Sequence, residues 1–247
     1  MPFVALLSGE RINSLDISPE DWNALKKAHP DVAMPCCRRE GTLATSKLGK
    51  PFFKHKRRGD CTSEHESEAH RECKALIYTT ARDMDFEADT EVAGNGWIAD
   101  VLVSTQEVTI AFEVQLAGQT VKKTVERSLC YRASGVMPVW LTKASIVEEL
   151  SSYIPAFELD ATDLSNIRVR LPEVGFVPLE EVVRKILMEE ILLKADLDAY
   201  VPPWHQTEDT EPLALSDEAL KVLGYLVLGG LGMIFLAYLF SPHKPRR

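Results

Sequence analysis

The chain has 247 residues and carries 28 Lys and Arg against 37 Asp and Glu, for a net charge of −9. Its 45% hydrophobic and 8% aromatic content excludes a wholly disordered or collagen-like chain. The acidic balance excludes a chain whose total charge alone would imply nucleic-acid binding. The length fits one domain of about 150–200 residues with an appendage. Five unevenly spaced Cys, without a secretory leader pattern ahead of them, make no disulfide framework and point to a reducing compartment for the body.

Residues 2–17 read as a hairpin around Gly9, and 13–27 end in a short helical stretch near Trp22. Residues 38–58 then hold eight Lys or Arg and one acid, Glu40, a local balance of +7, with Phe52 and Phe53 among them. A basic segment interleaved with aromatics suits a phosphate backbone and unstacked bases. Arg38, Arg39, Lys54, Lys56, Arg57 and Arg58 are its candidate nucleic-acid contacts. The alternative is a solvated loop with the Phe pair in a core. Cys36, Cys37, His55, Cys61 and His65 flank the same stretch. Three Cys and a His (Cys36, Cys37, Cys61 and His55) can hold Zn²⁺ tetrahedrally. Adjacent Cys36 and Cys37 depart from a CxxC spacing, however, and the alternative is buried reduced thiols.

Helical spacing over 64–80 puts Glu66, Ala69, Cys73, Leu76/Ile77 and Thr80 on an inward stripe, with His70 and Lys74 on an adjacent line. Strands are expected at 85–91, 97–103 and 108–116, a helix at 119–133, a strand at 138–142 and a helix at 144–153. An amphipathic helix at 178–194 closes this mixed α/β order. Gly94 and Gly96 mark a strand turn rather than a phosphate loop. Cys73 and Cys130 fall on helices and read as core.

Residues 196–218 carry seven acids, no Lys or Arg, and three prolines, which reads as an extended linker. The 19 uncharged residues at 222–240 would make a helix about 28 Å long, close to the ~30 Å hydrocarbon core. A membrane span is expected; the alternative is a buried or oligomerisation helix. No pair among Gly224, Gly229, Gly230 and Gly232 has GxxxG spacing. The expected division is 1–62 as a hairpin and basic Cys-containing module, 63–195 as the main α/β domain, 196–218 as linker, 219–241 as transmembrane helix and 242–247 as basic tail. The expected placement is a bacterial cytoplasmic membrane with the body in the cytosol and the bilayer as a partner. Lys244, Arg246 and Arg247 argue weakly against an exported tail.

The strands 97–103 and 108–116 alternate, and the short connection between them favours a hairpin. With the turn at Gln106 and Glu107, opposed residues sum to 213, so Asp100 would face Glu113. Like charges about 5 Å apart are destabilising, and a divalent cation between them reverses the sign. A solvated sheet end or a different register is the alternative. Glu66 is a third carboxylate aimed at the sheet, or simply a first-turn Glu favoured by the helix dipole. On the following helix Thr120, Thr124, Arg127 and Tyr131 make a stripe that could contact nucleic acid, with Arg127 as a phosphate clamp and Tyr131 as a second contact; the alternative is a surface stripe with Tyr131 half-buried.

The strings MPCCRREGTLATSKLGKPFFKHKRRGDC, ESEAHRECK, WIADVLV, AFEVQLAG and ERSLCYRASGVMPVWL, with the early VALLSGERI, resemble the CoiA-like competence protein family. Its nuclease domain is similar to the PD-(D/E)xK restriction-endonuclease-like fold, so the resemblance implies that mixed-sheet core with flanking helices. It also implies Glu66 as an assisting carboxylate, Asp100 as strand ligand and Glu113 as the first acid of the (D/E)xK element. The backbone carbonyl of Val114 would complete a Mg²⁺ or Mn²⁺ site. Gln115 falls where the wider superfamily often has Lys; neutral Gln can only orient water, and Lys74, Lys122 or Lys143 are candidates for the missing charge. The implied activity is metal-dependent DNA hydrolysis, with recombination or competence proteins as partners and uptake, recombination or defence as its setting. A DNA-binding protein without turnover and a zinc-stabilised membrane-tethered scaffold are the other readings.

Overall fold

Ser8 and Gly9 both have positive φ, 53° and 91°, as a two-residue hairpin turn requires. They join β1 (Val4–Leu7) to β2 (Glu10–Asn13), and the hairpin expected around Gly9 is present. The computed structural model describes residues 2–61, 66–151, 153–191 and 193. Ser18 caps α1 (Pro19–Ala28) by accepting from the Asp21 N–H, and Pro19 takes the first helical turn, where a missing N–H is harmless. Strand β3 (Val32–Ala33) then adds to β1. The basic segment is a second hairpin, β4 (Gly41–Thr45) with β5 (Pro51–His55). Phe53 is fully buried, edge-on to Trp22 at 5.2 Å, and Phe52 is nearly so. Both rings are therefore core rather than stacking platforms: Phe53 packs with Trp22 and Met34, and Phe52 packs with Phe3 and Ala75.

Ser67 caps α2 (Glu68–Asp83) through the His70 N–H at 3.1 Å. The main sheet follows with β6 (Glu87–Gly94), β7 (Trp97–Ser104) and β8 (Thr109–Val114). Helix α3 (Val121–Ala133) crosses to β9 (Val136–Thr142), and α4 (Ala144–Leu150) crosses to β10 (Ala156–Asp160). The chain closes with β11 (Arg168–Leu171), β12 (Gly175–Pro178) and α5 (Leu179–Leu187). The seven strands lie in the order β12-β11-β10-β9-β8-β7-β6. The β8–β9 and β9–β10 pairs are parallel, which is why each needs a helical crossover, and the other pairs are antiparallel.

Helices α2 and α5 cover one face, where Cys73, Ile77, Val182 and Ile186 pack on Val101, Val103, Phe112, Val114 and Val139. Helices α3 and α4 cover the other, with Tyr131 on Ala99 and Ala111 and with Val125 and Leu150 on Trp140. The result is a mixed α/β architecture with helices flanking one mixed sheet. The expected linker, transmembrane segment and tail lie outside the described residues. Among the described residues no helix is long and apolar enough to cross a membrane.

Candidate active site

The β7–β8 register runs Val101↔Phe112 to Ser104↔Thr109, and every pair sums to 213 as expected. The facing of Asp100 and Glu113 is nevertheless corrected. On β7, Ala99 packs with Tyr131 under α3, whereas Val101 packs with the α2 cluster. Alternation therefore breaks at Asp100, and its side chain turns to α2. Asp100 Oδ2 accepts from His70 Nε2 at 3.0 Å and from the Val114 N–H at 2.9 Å. Glu113 stays in phase and points to α3. Its Oε2 accepts from Arg127 at 2.6 Å, and its Oε1 accepts from the Tyr131 hydroxyl.

The same break affects β6. Pairing runs to Thr90↔Val101 and resumes at Val92↔Ala99, leaving Glu91 opposite Asp100 with a positive φ of 51°. Both Glu91 oxygens accept backbone N–H groups of β1 and its approach, from Phe3 at 3.1 Å and Val4 at 3.0 Å. Between Glu91 and Asp100 sits Lys74, fully buried, with Nζ 2.5 Å from Glu91 Oε1, 2.6 Å from Glu66 Oε1 and 3.9 Å from Asp100 Oδ1. His70 Nδ1 lies 3.9 Å from Glu66. Glu66 itself precedes the Ser67 cap rather than occupying the first helical turn, so the helix dipole is not what places it. Among the described residues Glu66, His70 and Asp100 form a group whose ligand atoms all lie within 4.8 Å of one another.

Burial opposes the charge on Asp100, but His70, Lys74 and the Val114 N–H overcome it and hold the carboxyl at about 2. Burial likewise opposes charge on Glu66, yet Lys74 and His70 pull its carboxyl below the ordinary value. Lys74 is held well above its ordinary range: burial works against its charge, and Glu91, Glu66 and Asp100 prevail. Burial and the nearby Asp100 push Glu113 up to about 8, against the pull of Arg127 and Tyr131. The Glu66, Glu91, Asp100 and Lys74 charges leave a balance of −2, which one divalent cation matches. Two carboxylates and an imidazole, each half-buried, make a ligand set that could hold a divalent cation.

The other expected site residues fall elsewhere. Gln115 turns its amide to the Ala117 carbonyl at 3.1 Å. Val114 offers its N–H to the site through Asp100. Tyr131 is fully buried, so its expected contact with nucleic acid is corrected: it anchors Glu113. Arg127, partly exposed, is shared between Glu113 and the Trp140 ring at 4.9 Å rather than standing clear as a clamp. Thr120 caps α3 and Thr124 is buried, so this stripe faces the sheet. Lys122 and Lys143 are exposed, and Lys74 is the lysine at the site. His70 and Glu91 were not expected there. The Glu66-His70-Lys74 spacing of i, i+4 and i+8 carries the signal for His70. No local pattern marks Glu91.

The basic hairpin and the turn before it leave Arg38, Lys54, Lys56, Arg57 and Arg58 exposed. Ion pairs join Arg39 to Asp60, Lys56 to Glu40, Lys47 to Glu68 and Lys50 to Glu72, which moderates the local charge. Cys36, Cys37, His55 and Cys61 come together at its end. Cys73 is fully buried in the core, and burial pushes its thiol up to about 12, which leaves no nucleophile there.

Residues 66–168 match the family model described as competence protein CoiA, nuclease-like domain. Over these 103 of its 247 residues the chain is similar to the CoiA nuclease-like family. No curated protein matches the chain. The CoiA-like domain takes in α2, β6–β10 and α3–α4, and therefore all of Glu66, His70, Lys74, Glu91, Asp100 and Glu113. The basic hairpin and the Cys/His group precede it.

Proposed function

We propose that the protein is a metal-dependent nuclease that hydrolyses DNA phosphodiester bonds. The observation that carries this reading is the convergence of Glu66, His70 and Asp100, with Lys74 paired to both carboxylates, inside a CoiA nuclease-like domain. Glu66, Asp100 and His70 would hold Mg²⁺ or Mn²⁺. A cation bound there supplies Lewis-acid polarisation of the phosphate and lowers the pKa of a bound water. Lys74 fixes the two carboxylates and offsets their repulsion. Glu113 is the buried anchor that keeps Arg127 and Tyr131 on the sheet. The exposed Lys54, Lys56, Arg57 and Arg58 track the phosphate backbone. A C-terminal span at 219–241 would hold the body at the cytoplasmic face of the bacterial membrane, where DNA uptake or recombination proteins are its partners.

The test is cleavage of single- and double-stranded DNA by the full chain with Mg²⁺ or Mn²⁺ and with chelator. Metal-dependent cleavage is expected, and its absence with both ions and both substrates sinks the catalytic reading. A second reading, DNA binding without turnover, is favoured by Gln115, whose side chain turns away from the cluster. Salt-dependent binding without cleavage would select it. For either reading, replacing both Arg57 and Arg58 by Ala is expected to lower the slope of log affinity against log salt by about 2, one for each phosphate left without its guanidinium. An unchanged slope removes this loop from the interface.

A further inference from the structure

We propose that Cys36, Cys37, His55 and Cys61 form a structural Zn²⁺ site that closes the basic loop of the N-terminal module. The site lies before the CoiA-like domain and does not depend on the nuclease reading. Its ligands come from three places: the turn after β3, the last residue of β5, and the loop beyond it. In that turn the Cys37 and Arg38 N–H groups both return to the Met34 carbonyl, at 3.3 and 2.8 Å, and Arg38 takes a φ of 58°. The tight turn lets adjacent cysteines point to one centre, and their Sγ atoms are 3.8 Å apart.

Three further separations have the same scale, and all four ligand atoms lie within 4.8 Å of one another. Cys36 Sγ is 3.6 Å from Cys61 Sγ and 3.5 Å from His55 Nε2, and Cys37 Sγ is 3.3 Å from His55 Nε2. Zinc bonds of about 2.3 Å to sulfur and 2.0–2.1 Å to nitrogen, at tetrahedral angles, put sulfurs about 3.8 Å apart and sulfur about 3.6 Å from nitrogen. These four separations thus approximate four of the six edges of a zinc tetrahedron. A disulfide would need about 2.05 Å, and none of the three cysteines forms one. Burial in a core, the other account of these thiols, fails as well. Cys36 is exposed and Cys37 and Cys61 are half-buried, in contrast to the fully buried Cys73.

Three thiolates and a neutral imidazole around Zn²⁺ carry a charge of −1, and the surroundings are basic. Arg58 Nε donates to the Cys61 carbonyl at 3.3 Å, and Arg38 and Arg39 follow Cys37 in sequence. Four protein ligands complete the shell, so the role is structural rather than hydrolytic. The module's core is a small cluster around Trp22, Met34 and Phe53, the setting in which a metal supplies what apolar burial lacks. Coordination by both His55 and Cys61 fixes the ends of the loop that carries Lys56, Arg57 and Arg58.

Metal analysis of the full chain, purified without chelator, tests the proposal. One equivalent of zinc is expected, lost in Cys36→Ser and Cys61→Ser and retained in Asp100→Asn. On replacement by Co²⁺, the wild-type chain should show thiolate-to-metal charge transfer and intense tetrahedral d–d bands, and His55→Cys should keep the metal and shift those bands to the red. Zinc-free protein that also gives no thiolate–Co²⁺ absorption overturns the site. So does a full equivalent retained in the serine variants. The cobalt spectrum of the wild-type chain remains decisive if the serine variants do not fold, and none of these readouts requires cleavage activity.

Discussion

Asp100→Asn is expected to reduce metal-dependent cleavage by at least about 100-fold, the scale on which metal sites respond to the loss of ligands and their supports. Asn is isosteric and still accepts from the Val114 N–H and from His70 Nε2, so the ladder and α2 stay in place. What it removes is the charge. Calorimetric titration with Mn²⁺ should show weakened binding in the variant, whereas DNA affinity measured in chelator should not change. Glu113→Gln is the informative control, because Glu113 faces α3 and is held by Arg127 and Tyr131. Wild-type cleavage by Asp100→Asn would refute the site, and abolition by Glu113→Gln alone would move it to the other face of the sheet.

Lys74→Met should destabilise the fold by about 3–5 kcal/mol, because it leaves buried carboxylates without their ammonium. Met matches the length of the stem but cannot donate to Glu66 and Glu91, which lie 2.6 and 2.5 Å from Nζ. Urea denaturation reads the loss, and Mn²⁺ should recover more stability in the variant than in the wild type, since the cation takes over the neutralising role. A change below about 1 kcal/mol, the range of exposed ion pairs, would contradict the buried arrangement. The pH window follows from the direction of the shifts. Lys74 is held above its unfolded value of about 10.4, so its contribution is complete below that pH and is lost as pH rises through the higher folded value. Asp100 is held at about 2, so its contribution is complete above about 4 and is lost as pH falls through 2. Between those limits the contribution of these two groups to wild-type stability should be flat.

Regular periodicity made much of this arrangement readable. Strict alternation in WIADVLV and IAFEVQL and the short turn after Val103 fix the β7–β8 register, and the helix-strand-strand-strand-helix-strand order places α2 and α3. Strands of four or five residues, such as β11 and β12, show too little alternation to be read in isolation. The site was legible only as far as the periods held. Period-2 counting assigns Asp100 and Glu113 to one face, and the irregular backbone at the Glu91–Asp100 position sends them to opposite faces. Glu91 was invisible for the same reason: its role comes from a left-handed backbone and from contacts with residues 87 and 88 positions away. His70 and Lys74, by contrast, were visible as a line with Glu66, because α2 is regular from its cap onward.

The φ of 51° at Glu91 sets local and collective needs against each other. A non-glycine residue there carries strain of order 1–3 kcal/mol, and Gly or Asn would relieve it. Neither side chain can reproduce a carboxylate that reaches Phe3, Val4 and Lys74 together. Directed evolution for thermostability alone is therefore apt to sample Gly or Asn at position 91 and to uncouple the N-terminal strand from Lys74. Libraries meant to preserve the site should hold position 91 constant and seek their stability at surface positions away from it.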